Sequence, residues 1–187
     1  MKIMSGIYPE ISGAILARTD SRRLGCRKPF LEVGGETLIG RVLKVMRRFF
    51  EEILVVTDNT ALFSGIGGVL AVQDLISGCG PLGGIYTGLK ESSKDKVFFT
   101  GCDMPFLHAG LIGRILEVAR QEDDECFIPC GPKGIEPLHG VYSQSTLGVI
   151  EELLAGRDFS IRRMFPRVAC RYIGAEPDEL LLSLIHI

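Results

Sequence analysis

The sequence predicts a three-layer α/β/α sandwich, in which a mainly parallel, Rossmann-like sheet lies between two layers of helices. Short, continuously apolar runs alternate with longer amphipathic stretches along the 187 residues. Strands that are apolar on both faces are typical of parallel sheets covered by helices. No internal repeat or linker interrupts this alternation, so we expect a single domain spanning residues 1–187, with residues 175–187 as a tail of unassigned structure.

Seven apolar runs are predicted to be strands, at residues 13–17, 53–56, 69–72, 97–100, 126–129, 138–142 and 168–173. Residues 78–84 are predicted to be a glycine-rich loop. Helices are predicted at residues 37–50, 85–91, 107–121 and 145–154, with a short helix at 158–165 that begins at Asp158 or Ser160.

The composition argues against several classes of protein. Hydrophobic residues make up 46% of the chain and charged residues 24%, as in globular rather than disordered proteins. The net charge of −2 creates no field that attracts nucleic acid or an anionic membrane. No apolar run reaches the length of about 18 residues that a membrane span needs. We therefore expect neither nucleic acid nor a membrane as a partner.

The cysteines and the first residues predict a cytoplasmic protein. The six cysteines form no C-x-x-C pair, and the three histidines are scattered, which does not suggest a zinc site. Free thiols are typical of a reducing compartment. Residues 1–9 lack the pattern of a secretory signal.

Four polar or glycine-rich segments directly follow predicted strands, at residues 18–28, 57–60, 73–84 and 101–105. Ligands of parallel α/β sheets bind beyond the carboxyl ends of the strands. Loops are commonly polar, so one such segment would indicate little. Glycines or acids at four strand ends favour a binding site at this edge.

The first of these segments is strongly basic and contains Arg18, Arg22, Arg23, Arg27 and Lys28. Backbone N–H groups and cations in one turn after a strand form an anion-binding feature. Arginine grips a phosphate through two donors, and lysine acts as a point charge. On composition alone, the alternative is a solvated basic loop.

The spacing in this loop resembles the signature Leu-Ala-Gly-Gly-x-Ser-x-Arg-Met-Gly-x-x-Lys of molybdenum cofactor guanylyltransferase and its relatives, the MobA-like NTP transferases. The matching residues are Leu16, Ala17, Ser21, Arg23, Gly25 and Lys28, with Leu24 in place of the Met. The resemblance continues in order through residues 29–35, Asp74, residues 80–84, 102–105 and 136–142. It covers roughly residues 11–173 and implies a fold like that of the nucleotide-diphospho-sugar transferases.

The resemblance implies a nucleotidyltransferase of the EC 2.7.7 type, which transfers GMP from GTP to the molybdopterin cofactor and releases pyrophosphate. GTP and the molybdopterin cofactor are then the substrates, Mg²⁺ is the cofactor, and molybdoenzymes or their chaperones are partner proteins. An acceptor phosphate is already an anionic nucleophile, so the reaction needs no strong general base. The chain accordingly has no His or Cys pair built for nucleophilic catalysis.

The resemblance also implies roles for individual residues. Arg23 and Lys28 offset charge on the phosphates and on the pyrophosphate leaving group, and Asp103 holds Mg²⁺. These three are the expected catalytic residues, and Asp103 is the expected metal ligand. The expected nucleotide-binding residues are Leu16, Ala17, Arg18, Thr19, Ser21, Arg23, Lys28, Asp74, Gly80, Pro81, Leu82, Gly83 and Asp103.

Several residues also have a purely structural interpretation. Asp103 could cap the helix that follows it, Asp74 could be an ordinary turn carboxylate, and the glycines at 83–84 could serve turn geometry alone. Cys102 is interpreted as a small buried side chain, and His139 as structural rather than as a ligand.

Two departures from the family pattern leave alternative functions open. Arg18 and Thr19 replace the two glycines of the signature, and a Cβ there costs roughly 1–2 kcal/mol per residue if φ must be positive. That cost would lower nucleotide affinity by roughly one to three orders of magnitude, unless Arg18 reaches a phosphate. Residues 175–180 lack the Asn-x-Asn-Thr-Pro-like closure of the family, so no second metal ligand is assigned. The alternatives are a cytidylyltransferase of the same superfamily and a non-catalytic protein that binds a nucleotide or the cofactor.

Overall fold

A central sheet of eight strands forms the middle layer of the protein, and a separate hairpin of two strands lies beside it. The computed structural model describes residues 6–19 and 28–181. The strands are β1 (Ile11–Leu16), β2 (Glu32–Val33), β3 (Glu36–Thr37), β4 (Ile53–Thr57), β5 (Leu70–Gln73), β6 (Lys96–Gly101), β7 (Cys126–Gly131), β8 (Gly134–Ile135), β9 (His139–Ser143) and β10 (Cys170–Gly174).

The large sheet is mainly parallel. Its order is β10-β7-β9-β6-β1-β4-β5, and β8 pairs with β7 outside this path. β1 runs parallel to both β4 and β6, β5 is parallel to β4, and β10 is parallel to β7. In the described part of this sheet, two strands make the antiparallel pairings. β9 is antiparallel to its neighbours β6 and β7, and the short β8 is antiparallel to β7. This arrangement confirms the predicted fold class.

Two helices cover each face of the sheet. Side chains of α1 and α3 pack on one face, and side chains of α2 and α4 pack on the other. No helix in the described segments is both long enough and apolar enough to cross a bilayer. The helices are α1 (Leu38–Met46), α2 (Gly80–Glu91), α3 (Ala109–Gln121) and α4 (Leu147–Ala155), and the short 3₁₀ helices are Lys28–Phe30, Thr60–Phe63, Gln144–Thr146, Ile161–Arg163 and Phe165–Arg167.

Helix α2 begins at Gly80, so the prediction of a loop over residues 80–84 is wrong. Pro81 suits a first helical turn, because its fixed φ is helical and it has no N–H to leave unpaired. Gly84 and Gly88 let the helix approach the sheet closely. A Cβ on Gly84 would lie 2.9 Å from Leu16 Cδ2, and a Cβ on Gly88 would lie 2.5 Å from Phe99 Cε1. Packing on the sheet therefore outweighs the poor helix propensity of glycine.

The predicted single helix at residues 158–165 is also wrong, because this segment forms two successive 3₁₀ turns. Pro166 lies in the first turn of the second and cannot donate a backbone hydrogen bond. Asp158 Oδ1 accepts a hydrogen bond from the Ser160 N–H at 3.2 Å, and Ser160 makes no side-chain capping bond.

The hairpin of β2 and β3 was not predicted as strands. Gly34 and Gly35 connect the two strands with φ values of 61° and 78°. Two successive positive φ values are typical of the tight turn of a two-residue hairpin, and glycine adopts them without steric cost. The Gly-Gly pair was the available sequence signal for this turn.

The described part of the tail, residues 175–181, packs on the domain. Arg114 donates two hydrogen bonds of 2.7 Å to the carboxylate of Glu179, and His108 Nδ1 lies 3.4 Å from the same carboxylate. The hydrogen bonds from Arg114 lower the pKa of Glu179 to about 2. A Cβ on Gly131 would lie 2.5 Å from Leu180 Cδ1, so Leu180 packs directly against β7.

Two glycine substitutions test the close packing of helix on sheet. We expect Gly88→Ala to destabilise the fold by roughly 1–3 kcal/mol, because its new methyl group overlaps the Phe99 ring. Gly148→Ala is the matched control, since nothing lies within 4 Å of a Cβ at that exposed position of α4. It should stabilise the fold by up to roughly 1 kcal/mol through helix propensity. Urea unfolding of both variants measures the two changes, and equal effects would contradict the described packing.

Candidate active site

A cavity of about 340 Å³ lies at the carboxyl ends of the parallel strands. Most of its wall comes from the segments that follow β1, β5 and β6, together with the first turn of α2. We call it the site cavity. Seven of the residues predicted to bind a nucleotide line it, namely Leu16, Arg18, Lys28, Asp74, Gly80, Pro81 and Asp103.

Five further residues line the site cavity, namely Val56, Gly84, Gly101, Cys102 and Leu138. Gly84, Gly101 and Cys102 lie in the predicted segments 73–84 and 101–105, whereas Val56 and Leu138 were not predicted to line a site. Val56 and Leu138 are apolar residues at or next to the end of a strand. In the sequence they are indistinguishable from core residues, so only their position at the strand ends could have indicated them. With Leu16, the side chains of Val56 and Leu138 give the cavity an apolar wall.

The backbone around Asp103 fixes the direction of its carboxylate. The N–H of Cys102 donates to the carbonyl of Leu16 at 3.1 Å, which extends the pairing of β6 with β1. The N–H of Met104 then donates to the carbonyl of Gly101 at 3.2 Å and closes a tight turn. Asp103 stands at the tip of this turn, facing the cavity. Helix α3 begins later and is capped by His108, so Asp103 does not cap it.

Lys28 also lines the cavity and forms an ion pair with Asp103. Its Nζ lies 2.6 Å from Asp103 Oδ2, and the two side chains are 30% and 33% exposed. Pro29 is buried and Phe30 packs against the ring of Phe63, which anchors the turn that carries Lys28. An ion pair this accessible contributes at most about 1 kcal/mol, so either partner can exchange it for a ligand at little cost.

Asp103 provides a single carboxylate for a metal ion. No group of three or more His, Cys, Asp or Glu side chains that could hold a metal occurs in residues 6–19 and 28–181. Mg²⁺ in proteins usually takes one or two carboxylates together with phosphate oxygens and water. A lone carboxylate in a cavity that also contains Lys28 and Arg18 fits that requirement.

Asp74 lines the cavity and also stabilises a turn. Its side chain is largely buried, at 7% exposure for the residue. Oδ1 accepts a hydrogen bond from the N–H of Ile76 at 3.2 Å, and the Thr87 hydroxyl lies 3.3 Å away. Asp74 therefore does act as a turn carboxylate. That role alone does not explain why it lies in the cavity wall.

The amino end of α2 faces the site cavity through Gly80 and Pro81. Gly78 and Gly80 have φ values of 84° and 60°, which shape the turn into the helix. The N-cap residue, Cys79, makes no side-chain capping bond to the first turn. The helix dipole and the N–H groups of this turn favour a negatively charged ligand.

The strain expected at Arg18 and Thr19 does not arise. Arg157 is the one non-glycine residue with a positive φ in the described part of the chain. Arg18 and Thr19 therefore do not adopt the conformation that would make the loss of the glycines costly. Thr19 instead bonds to Asp58, through its N–H at 2.9 Å and its hydroxyl at 2.6 Å.

Four residues predicted to bind a nucleotide do not line the cavity. Ala17 and Leu82 are fully buried in the core, one on each face of the sheet. Gly83 is a buried residue of α2, and a Cβ there would lie 2.9 Å from the carbonyl oxygen of Ile76. Thr19 faces Asp58, as described above. Ser21 and Arg23 lie outside the described residues.

Cys102 and His139, two residues of reactive types near the site, both keep their neutral forms. Burial raises the pKa of Cys102 to about 12, so its thiol stays protonated and is no nucleophile. Burial lowers the pKa of His139 to about 3, so its ring stays neutral. That ring packs edge-on against Phe98 at 5.2 Å between centroids.

Comparison with known proteins identifies the family. The model of the MobA-like NTP transferase domain matches residues 13–170. A probable molybdenum cofactor guanylyltransferase from Pelotomaculum thermopropionicum is 34% identical over 178 residues, which cover 94% of this chain and 84% of that protein. A relative with the same name from Methanothermobacter thermautotrophicus is 32% identical, over 92% of this chain and 91% of its own.

A solved structure shows the same fold. The crystal structure of molybdopterin-guanine dinucleotide biosynthesis protein A from Archaeoglobus fulgidus aligns with a TM-score of 0.75, at 22% identity, over 87% of this chain and 83% of that chain. Together with the family match over residues 13–170 and the two relatives at 32–34% identity, this shows that the chain belongs to the MobA-like NTP transferase family.

Proposed function

We propose that this protein transfers GMP from GTP to the phosphate of the molybdopterin cofactor and releases pyrophosphate. The observation that carries the proposal is the meeting of Lys28 and Asp103 in one cavity at 2.6 Å. A cation for phosphates and a carboxylate for a metal ion are the two groups that nucleotidyl transfer needs side by side. The names of the relatives supply the choice of guanine and of the acceptor.

The transfer requires little covalent chemistry from the protein. An oxygen of the acceptor phosphate attacks the α-phosphorus of GTP, and the bond from that phosphorus to the oxygen bridging to the β-phosphate breaks. Pyrophosphate leaves with the bonding electrons, and no proton has to be removed from the nucleophile. The protein therefore acts by positioning the two substrates and by stabilising negative charge. Lys28 and Arg18, both in the cavity wall, supply positive charge for this.

We propose Mg²⁺ as the metal ion and Asp103 as its ligand. When bound, the ion would neutralise charge on the phosphate oxygens as the bond to pyrophosphate breaks. Lys28 would then exchange the carboxylate of Asp103 for a phosphate oxygen.

Asp74 supports the choice of guanine. A carboxylate oxygen accepts hydrogen bonds and donates none when ionised. Guanine presents adjacent donors at N1 and N2, whereas adenine and cytosine each present a single amino group on that edge. Asp74 stands in the cavity wall beside the apolar side chain of Val56, so a base in this wall would meet the carboxylate.

A second depression adjoins the site cavity and supports a position for the acceptor. It has a volume of about 280 Å³, and Pro81 and Leu138 line both spaces. Phe159 and Arg162 form part of its wall, and Phe159 is 40% exposed. An exposed aromatic ring can stack on a planar heterocycle such as a pterin, and a guanidinium can donate to the oxygens of its substituents. We call this space the acceptor groove.

We also propose that the reaction takes place in the cytoplasm and that the product passes to molybdoenzymes or their chaperones. Five cysteines in the described residues are free thiols, which suits a reducing compartment.

A nucleotide panel tests the proposed function. With Mg²⁺ present, we expect the protein to bind GTP more tightly than ATP or CTP in calorimetry, and to release pyrophosphate from GTP only when molybdopterin is added. A preference for CTP would indicate the cytidylyltransferase alternative. Binding of GTP without any pyrophosphate release would indicate a non-catalytic protein, and equally weak binding of all three nucleotides would contradict both enzyme assignments.

Substitution of Asp103 tests its role as the metal ligand. We expect Asp103→Asn to lower kcat on the order of 10²–10³-fold, because the charge that holds the ion is lost. Without Mg²⁺, the same variant should bind GTP at least as tightly as the wild type, because a carboxylate that repels phosphate is gone and Lys28 is released. Calorimetry with and without Mg²⁺ separates the two effects. Full Mg²⁺-dependent turnover in Asp103→Asn would contradict the assignment.

Substitution of Phe159 tests the acceptor groove. We expect Phe159→Ala to raise the KM for molybdopterin by roughly tenfold, the scale of one lost stacking contact, and to leave the KM for GTP unchanged. Tyr172→Ala is the matched control, since Tyr172 is also an exposed aromatic residue, at 50%, but lies on the edge strand β10. A parallel rise in both KM values, or the same rise in the control, would contradict this position for the acceptor.

A further inference from the structure

The backbone ladder between β1 and β4 continues past the ends of both strands by way of a side chain. The N–H of Ala17 donates to the carbonyl of Val56 at 2.8 Å. In a parallel ladder the next donor on the same strand is two residues further on. That donor is the N–H of Thr19, which bonds to Asp58 Oδ1 at 2.9 Å, so the carboxylate stands where the ladder would use a backbone carbonyl.

A second bond requires a side-chain hydroxyl at residue 19. The Thr19 hydroxyl donates to the same Oδ1 atom at 2.6 Å. Hydrogen bonds to an ionised acceptor are roughly twice as strong as those between neutral groups. Asp58 is itself held on the neighbouring strands, because the side chain of Gln73 donates to its backbone carbonyl at 3.4 Å. We call this pair of bonds the Thr19–Asp58 clip.

The clip sets the direction of Arg18. Successive residues of an extended chain point to opposite sides, and residues two apart share a side. Ala17 points into the core and Thr19 is held by Asp58, whereas Leu16 and Arg18 both line the site cavity. Without the clip, the chain beyond Ala17 would have no such anchor on β4, and Arg18 would be free to leave the wall.

We propose that Asp58 is a positioning residue for the nucleotide, which acts through Thr19 to hold Arg18 in the wall of the site cavity, where its guanidinium binds the polyphosphate. This inference rests on the proposed nucleotide-binding function. Arg18 and Thr19 occupy the positions of the two glycines in the family signature. Two glycines would provide neither the hydroxyl of the clip nor the guanidinium, so this chain grips the phosphates at that point by a different means.

A double-mutant cycle tests whether Asp58 acts through Arg18. The variants are Asp58→Ala, Arg18→Ala and the two combined, and the measurement is the Kd of GTP with Mg²⁺ by calorimetry. We expect each single substitution to raise the Kd roughly tenfold, the scale of a lost charge-assisted contact. The double variant should be no weaker than Arg18→Ala alone, because the clip has nothing left to position. Additive losses would overturn the proposal.

Conservative variants separate positioning from a general loss of structure. Thr19→Val removes the hydroxyl bond, so it should raise the KM for GTP severalfold and leave kcat at saturating GTP near the wild-type value. Thr19→Ser should restore the KM, because the hydroxyl returns. Asp95→Ala is the matched control. The Asp95 carboxylate also accepts a hydrogen bond from a hydroxyl group, that of Ser143 at 3.0 Å, but Asp95 lies just before β6, at the end of that strand away from the site cavity. Thr19→Val also carries the test if Asp58→Ala does not fold.

The outcomes distinguish this proposal from the proposed function. If the wild-type protein binds GTP and the Asp58→Ala and Thr19→Val variants bind it equally well, the clip has no positioning role and the function stands. If Asp95→Ala weakens GTP binding as much as Asp58→Ala, the effect is a general one and the proposal is overturned. If the wild-type protein binds no nucleoside triphosphate, both the proposed function and the clip proposal fail.

Discussion

The parallel pairing of β1 with both β4 and β6 is the constraint on which the site depends. Leu16, the last residue of β1, lies beside Val56 in β4 and beside Gly101 in β6. Three parallel strands that end at one level bring the segments after them together. Because helices cover both faces of these strands, a slip of one residue would move each side chain to the opposite face and disrupt its packing there. The core therefore fixes the register, and the register fixes the site.

The ion pair of Lys28 and Asp103 links anion binding to cation binding. Each side chain offsets the charge of the other at 2.6 Å, with about a third of each exposed to solvent. A polyphosphate alone would leave the carboxylate facing negative charge, and a metal ion alone would leave the lysine facing positive charge. A polyphosphate that arrives with its metal ion gives each side chain a new partner at once. In the proposed function, this arrangement would favour the metal-bound nucleotide over either component.

The sequence was sufficient for the layers of the fold and for most of the cavity wall, because both depend on periodicity and on the position of residues at strand ends. It failed where tertiary packing or backbone geometry decided the outcome. Helix α2 includes glycines 80–84 because the sheet requires a close approach that only glycine permits, which no propensity indicates. The segment after Asp158 forms two 3₁₀ turns instead of one helix, and Pro166 lies in the first turn of the second. Val56 and Leu138 were missed because an apolar residue that lines a cavity has the same pattern as one in the core.

The departure at Arg18 and Thr19 shows what a signature of glycines encodes. The two glycines specify a backbone conformation, and a different pair is harmful only if the chain must keep that conformation. Here the chain continues in the direction of β1 for three more residues, held at Thr19 by the carboxylate of Asp58, and needs no positive φ. Arg18 also places a long cationic side chain in the cavity wall, where a glycine has none. Loss of a consensus residue is therefore weak grounds for assigning inactivity, unless the backbone conformation that the residue served is still present.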